Sequence, residues 1–234
     1  MKIFKKYLKN KNKNNVPEIW DSVWSKRTDN PPHPIVISSI KKLTNIKNIL
    51  EVGGGSGSDI IELSKDYDVT YSDYSNVALK KFQDKTNGKI KIQMADAKKL
   101  PFKDNSFDLV FCLGLLEHFS DKDKQKIIYE MKRISRKYVL IDVPQKYSIH
   151  ILLKKIVMLM GKWQYGYEEE LSFYELNNML KNNGLKVVDY YGRELIPIPR
   201  KYKIKDQVIN TPKLFAKFGC GCFGIISKKW KIIN

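Results

Sequence analysis

The segment from Ile49 to Asp59 constrains this chain most. An apolar run, Ile49-Leu50-Glu51-Val52, breaks into Gly53-Gly54-Gly55-Ser56-Gly57 and then into the helix-compatible Ser58-Asp59. That order predicts a strand, a tight turn and a helix start. Glycines at 53, 55 and 57 tolerate positive φ and carry no Cβ, so a ligand can lie directly on the loop. The spacing is G-x-G-x-G. A dinucleotide fingerprint, G-x-G-x-x-G, would need a small residue closing the set at position 58, where Ser58 stands, while the third glycine falls at 57. Glu51, two places before the first glycine, would repel a pyrophosphate and suits a cationic ligand.

S-adenosylmethionine carries a sulfonium and an α-ammonium and no phosphate, which matches an acid at this strand end. Four ordered places carry a family resemblance: Glu51-x-Gly53-x-Gly55-x-Gly57; the run Val69 to Ser75 with Asp73 and Tyr74; Gln93 to Phe102 with Asp96 and Ala97; and Ser106 to Phe119, which includes Leu113, Glu117 and His118. Over roughly residues 45–143 the chain resembles the class I S-adenosylmethionine-dependent methyltransferases, most closely the type 11 group. The resemblance implies that Asp73 accepts the ribose hydroxyls, that Tyr74 packs on the adenosine, and that Asp96 receives the adenine amine. It also implies a cofactor site over Glu51, Gly53, Gly55, Gly57, Asp73, Tyr74, Asp96, Ala97 and Leu113, with S-adenosylhomocysteine as the product. Read alone, Asp73 is also consistent with a helix cap or an NAD ribose ligand, and Asp96 with a turn residue.

Hydrophobic periodicity predicts helices over 35–43, 60–65, 76–86, 122–135 and 172–182. It predicts strands over 46–52, 69–72, 89–94, 107–113, 138–143, 185–191 and 222–227. This alternation predicts an α/β fold, a mostly parallel, seven-stranded, Rossmann-like methyltransferase sheet with helices on both faces. The resemblance adds that the last strand inserts antiparallel between the fifth and sixth. The expected organisation is a basic tail over 1–15 and one methyltransferase domain over 16–234. Within it, an aromatic helical segment (16–34) and an insert after strand five (145–170) serve as cap or substrate elements.

The formal charge of +18 is concentrated at the ends: residues 1–15 hold six lysines and no acid, and residues 200–234 hold nine Lys/Arg against Asp206. Such tails favour anionic surfaces, either phospholipid or nucleic acid, although a Lys/Asn/Ile compositional bias also produces them. Cys112, Cys220 and Cys222 form neither a disulfide framework nor a zinc pattern, so no metal is expected. No secretory signal is visible. The longest apolar stretch, Ile149 to Met160, is too short and too charged to span a bilayer, so a cytoplasmic protein is expected, with membrane association as the alternative.

Substrate choice is expected in the additions. Trp20 and Trp24 stand at helical spacing and either pack in the core or line a substrate mouth, while the insert offers Trp163 and Tyr165. As a helix, 149–160 would group Leu152, Leu153, Ile156, Leu159 and Met160 on one face with Lys154 and Lys155 at its edge, as a lid, a membrane contact or core. Glu168-Glu169-Glu170 reads as the solvated start of the next helix. Methyl transfer needs little from the protein beyond orientation and a dry pocket. If the acceptor is a hydroxyl or phenol, His118 is the best candidate base. An Asn/Asp-Pro-Pro-Tyr turn and a Pro-Cys nucleophile are both absent, which disfavours nucleic-acid base methylation. A small-molecule, lipid-like or sugar acceptor, methylated at oxygen or carbon, is the expectation. Its rivals are a non-catalytic cofactor-binding or partner-recruiting module, an RNA methyltransferase and an NAD-dependent oxidoreductase.

Overall fold

The computed structural model describes residues 17–27, 29–159, 168–194, 213–217 and 219–229. The basic tail at 1–15, Trp163 and Tyr165 of the insert, and most of the connection 192–219 lie outside the described residues.

The elements run α1 (Pro17–Lys26), α2 (Pro34–Lys41), β1 (Asn48–Val52), α3 (Ser58–Leu63), β2 (Asp68–Asp73), α4 (Asn76–Thr86), β3 (Lys91–Met94) and β4 (Phe107–Leu113). After a short 3-10 turn (Leu116–His118) come α5 (Asp121–Ile134), β5 (Ser135–Pro144), α6 (Ile149–Leu159), α7 (Phe173–Asn182), β6 (Leu185–Arg193), α8 (Lys213–Lys217) and β7 (Cys222–Lys229). The sheet order is β3-β2-β1-β4-β5-β7-β6. Strands β1 to β5 pair in parallel, and β7 lies antiparallel between β5 and β6, as the resemblance implied. The chain leaves β1 toward β2 on one side and returns to β4 on the other. The carboxyl ends of β1 and β4 therefore open a crevice, where open α/β sheets bind ligands.

The central strands are apolar on both faces because helices cover both. Alternate residues divide between two cores. Leu50, Val110, Cys112, Val139 and Ile141 pack with α5 and α7, whereas Ile49, Leu109, Phe111 and Leu140 pack with α2, α3 and α4. Helix starts are capped as their sequences suggest: the Ser75 side chain accepts from the Ala78 N–H, Ser120 accepts from Asp123, and Ser172 forms a capping box with Glu175.

Element bounds differ from the sequence expectation where pairing or turn chemistry prevails over periodicity. Strand β3 starts at Lys91 rather than Lys89, because Asn87 and Gly88 take positive φ to end α4. Strand β5 starts at Ser135, whose backbone pairs with Phe107.

Two expectations after β5 are corrected. Helix α6 turns its lysine inward: Lys154 is buried, with Nζ 2.5 Å from Glu168 Oε2 and also bonded to Glu170 Oε1, while Leu152, Leu153 and Ile156 are exposed. Nor do Glu168 to Glu170 begin a helix. Helix α7 begins at Phe173, and the Glu169 N–H donates to the Glu117 carbonyl at 2.7 Å. The lysine has to be buried with carboxylates because an unpaired ammonium there would lose its hydration without replacement.

Asp142, an acid inside the apolar run of β5, is fully buried and takes a two-pronged contact from Arg193 at the end of β6, with Nη2 at 2.7 Å and Nε at 3.0 Å. This pair ties β5 to β6 across β7. Arg193→Met would leave the carboxylate buried and unpaired, at an expected cost of ~3–5 kcal/mol of folding stability, measured by urea unfolding at pH 7. A change below about 1 kcal/mol would contradict the pairing.

Candidate functional site

A cleft of about 320 Å³ opens at the carboxyl ends of β1, β2 and β4. Its floor is the glycine turn. Gly55 has φ +55°, and its N–H donates to Asp73 Oδ2 at 2.9 Å. A Cβ there would stand 2.2 Å from the Trp24 ring, so the position requires glycine for both conformation and space. Gly57 serves differently. A Cβ on it would meet Phe82, and it does not line the cleft, so its role is to seat α3 against the core rather than to face a ligand.

Asp73 ends β2 fully inside the protein, accepting from Gly55 N–H and, through Oδ1, from Ser75 N–H at 2.9 Å. Burial raises its pKa, and these N–H donors oppose the rise. Glu51 is buried at the end of β1, where loss of water pushes its pKa well up and Asp59 and Asp73 add repulsion. Its Oε2 has no hydrogen-bond partner among the described residues. A buried carboxylate oxygen without a donor, beside a loop without side chains, is an arrangement that a cationic group would complete. Asp96 follows β3 and accepts the Lys98 N–H at 2.9 Å. Tyr74, Ala97 and Leu113 complete this wall.

Helix α1 covers the other side without burying any residue completely. Polar contacts hold it. Asp21 accepts from Ser75 Oγ at 2.6 Å and from the Val77 N–H at 3.1 Å, and Lys81 Nζ donates to the Trp24 carbonyl at 2.7 Å. Both tryptophans are thereby set at the cleft rather than in the core. Trp24 lies over Gly55, with the Arg27 guanidinium 5.0 Å from its ring centre. Trp20 meets the His118 ring edge to face at 4.7 Å.

His118 is buried in the 3-10 turn after β4, with Nδ1 4.0 Å from Glu168 Oε1. Its neighbour Glu117 is also buried, and burial together with repulsion from Glu168 pushes its pKa up to about 8. Every described residue predicted for the site except Gly57 therefore meets at one cleft. Sequence reasoning passed over Asp21, Glu117 as a wall residue, the pairing of Lys154 with Glu168 and Glu170, and the Asp142 and Arg193 pair. Asp142 was detectable as an acid within an apolar strand. The partners of Lys154 are 14 and 16 residues away, beyond the reach of any helical periodicity.

Comparison with known proteins agrees with the geometry. Residues 49–137 match the model of a family described as a methyltransferase domain. A magnesium protoporphyrin IX methyltransferase from Synechocystis, solved with S-adenosylhomocysteine bound, superposes with a TM-score of 0.63 at 16% identity, over 91% of this chain and 94% of that one. The fold is thus the one seen in S-adenosylmethionine-dependent methyltransferases, and the family match falls on residues 49–137, the part that carries β1 to β4 and the glycine turn. In sequence, an uncharacterized protein of Methanocaldococcus jannaschii is 40% identical over 97 residues, covering 41% of this chain and 40% of that protein. Norajmaline N-methyltransferase of Rauvolfia serpentina is 32% identical over 96 residues, covering 38% and 32%. The chain thus matches well under half the length of these curated relatives.

Gly55→Val introduces a branched side chain where the Trp24 ring stands, and Asp73→Ala strands the Gly55 and Ser75 N–H groups. Each variant is expected to weaken S-adenosylhomocysteine binding by ~1–3 kcal/mol in calorimetric titration, with Asp73→Ala also lowering the melting temperature. Unchanged dissociation constants for both would contradict this geometry.

Proposed function

We propose that the chain transfers a methyl group from S-adenosylmethionine to a small-molecule acceptor. The observation that carries the proposal is the set of three acids at consecutive strand ends, Glu51, Asp73 and Asp96, around a glycine turn with no room for a Cβ. Asp73 and Asp96 would hold the ribose and the adenine, Glu51 would face the cationic end, and Gly53, Tyr74, Ala97 and Leu113 would shape the walls. When bound, this cofactor supplies a methyl group already activated by a sulfonium, so the protein's task is to orient the acceptor and exclude water. Trp20 and His118, in edge-to-face contact in the same cleft, would form the acceptor wall. We extend that wall to Trp163 and Tyr165 of the insert on the strength of their place after β5.

Two tests separate these roles. Labelled-methyl transfer to a fractionated small-molecule extract, with S-adenosylhomocysteine titration in parallel, distinguishes an enzyme from a binding module: tight binding with no labelled product would favour the module. Trp20→Ala, Trp163→Ala and Tyr165→Ala are each expected to raise the acceptor KM or lower kcat at least tenfold while changing the S-adenosylhomocysteine Kd less than twofold. A loss confined to cofactor affinity would reassign them.

A peripheral contact with an anionic bilayer is the second reading, favoured by one observation. Helix α6 exposes Ile149, Leu152, Leu153, Ile156 and Val157 on a chain of net charge +18. Among the described residues no helix is long and apolar enough to cross a membrane, so the contact would be superficial. Flotation with phosphatidylglycerol vesicles should be reduced by Ile156→Asp and by deletion of residues 1–15, each lysine near the surface contributing roughly 1 kcal/mol. Equal flotation of all three proteins would remove this reading.

A further inference from the structure

Two carboxyl oxygens of the cleft, Glu51 Oε2 and Glu117 Oε2, are buried without a hydrogen-bond partner among the described residues. Glu51 would face the cationic end of the cofactor, whereas Glu117 has no such partner. Glu117 projects from the turn after β4, with Oε1 3.3 Å from the point where a Cβ on Gly114 would stand, in the cleft that Trp20 and His118 also line.

The charges around it do not satisfy it. Glu168 and Asp142 repel its ionised form. Lys154 attracts it, but that ammonium is bonded to Glu168 and Glu170, and Arg193 is spent on Asp142. The nearby thiols Cys112 and Cys222 stay neutral, since burial pushes both well above their ordinary range. Arg27 acts on Glu168 from the mouth. Around Glu117 the cleft is therefore aromatic, and the cations Lys154 and Arg193 are already paired with other acids. Such a wall draws in a cation and repels a phenolate.

We propose, building on the methyltransferase reading, that the acceptor is an amine and that Glu117 binds its N–H group and takes the proton that nitrogen must lose. An alkylammonium has no free electron pair, so deprotonation comes first. The N–H bond breaks toward Glu117 Oε2, which becomes a neutral carboxylic acid, and the nitrogen recovers its pair. That pair forms the N–C bond to the methyl group as the S–C bond breaks, and sulfur keeps the S–C electrons as a neutral thioether. A carboxyl raised to about 8 is a far better match to an amine of pKa about 10 than an ordinary glutamate near 4.3. The methylated atom is then nitrogen, not the oxygen or carbon expected from the sequence, and Glu117 rather than His118 is the base.

The experiment incubates the full chain with labelled S-adenosylmethionine and a small-molecule cell extract, separates products by cation exchange at pH 7, and locates the label by fragmentation mass spectrometry. The expected result is an N-methylated product in the retained fraction, formed at a rate that rises with pH through an apparent pKa near 8. Glu117→Gln should lower kcat at least 100-fold and remove that pH limb, while the S-adenosylhomocysteine Kd, measured on the same folded variant, changes less than twofold. Should Glu117→Gln fail to fold, the pH profile and product identity of the unmodified chain decide. Label on oxygen or carbon, a flat pH profile, or full activity of Glu117→Gln would overturn the inference and leave the methyltransferase reading standing. Failure to bind S-adenosylhomocysteine, or binding with no labelled product in any fraction, would overturn that reading and this inference with it.

Discussion

The two hydrogen bonds that Asp73 accepts, from the Gly55 and Ser75 N–H groups, join parts of the chain that are otherwise independent. Through Gly55 they fix the glycine turn after β1. Through Ser75 they fix the start of α4, whose cap is the Ser75 hydroxyl. That hydroxyl also donates to Asp21, so α1 is held against the same point, with Trp24 over Gly55 and Trp20 against His118. A single buried carboxylate thus orders the floor, the wall at the end of β2 and the aromatic cover. The arrangement depends on burial, because in a site without competing water each N–H bond to a charged oxygen is strong and directional.

The electrostatics of the cleft follow from where the strands end. Parallel strands β1, β2 and β4 bring Glu51, Asp73 and Glu117 to one edge, and the extension after α6 adds Glu168. Burial raises the pKa of Glu51, Asp73 and Glu117, and neighbouring carboxylates add to the rise at Glu51 and Glu117, which is costly unless a cation joins them. A pyrophosphate would aggravate that repulsion, which weighs against a nicotinamide dinucleotide despite the shared sheet.

The sheet was legible because its strands are continuous apolar runs separated by helices of clear periodicity, and because the glycine spacing has few structural solutions. Asp73 and Asp96 were legible by their position at strand ends. The resemblance placed Gly57 at the cofactor, whereas a Cβ on it would meet the Phe82 ring, 25 residues away in sequence, and it does not line the cleft. The burial of Lys154, expected at the edge of the α6 apolar face, was hidden for a related reason. Periodicity counts apolar residues as inward-facing, but Lys154 is drawn inward by Glu168 and Glu170, and the charges that reverse the helix lie outside it. Long-range charge pairing leaves no periodic signature, so Asp21, Glu168 and Arg193 emerged only with the fold.

Calorimetric titration of the unmodified chain with S-adenosylmethionine and, separately, with NADH tests the central claim most directly, since the two ligands share an adenosine and differ in the charge presented to Glu51. The account predicts binding of S-adenosylmethionine and none of NADH. Binding of NADH with no affinity for S-adenosylmethionine would contradict it.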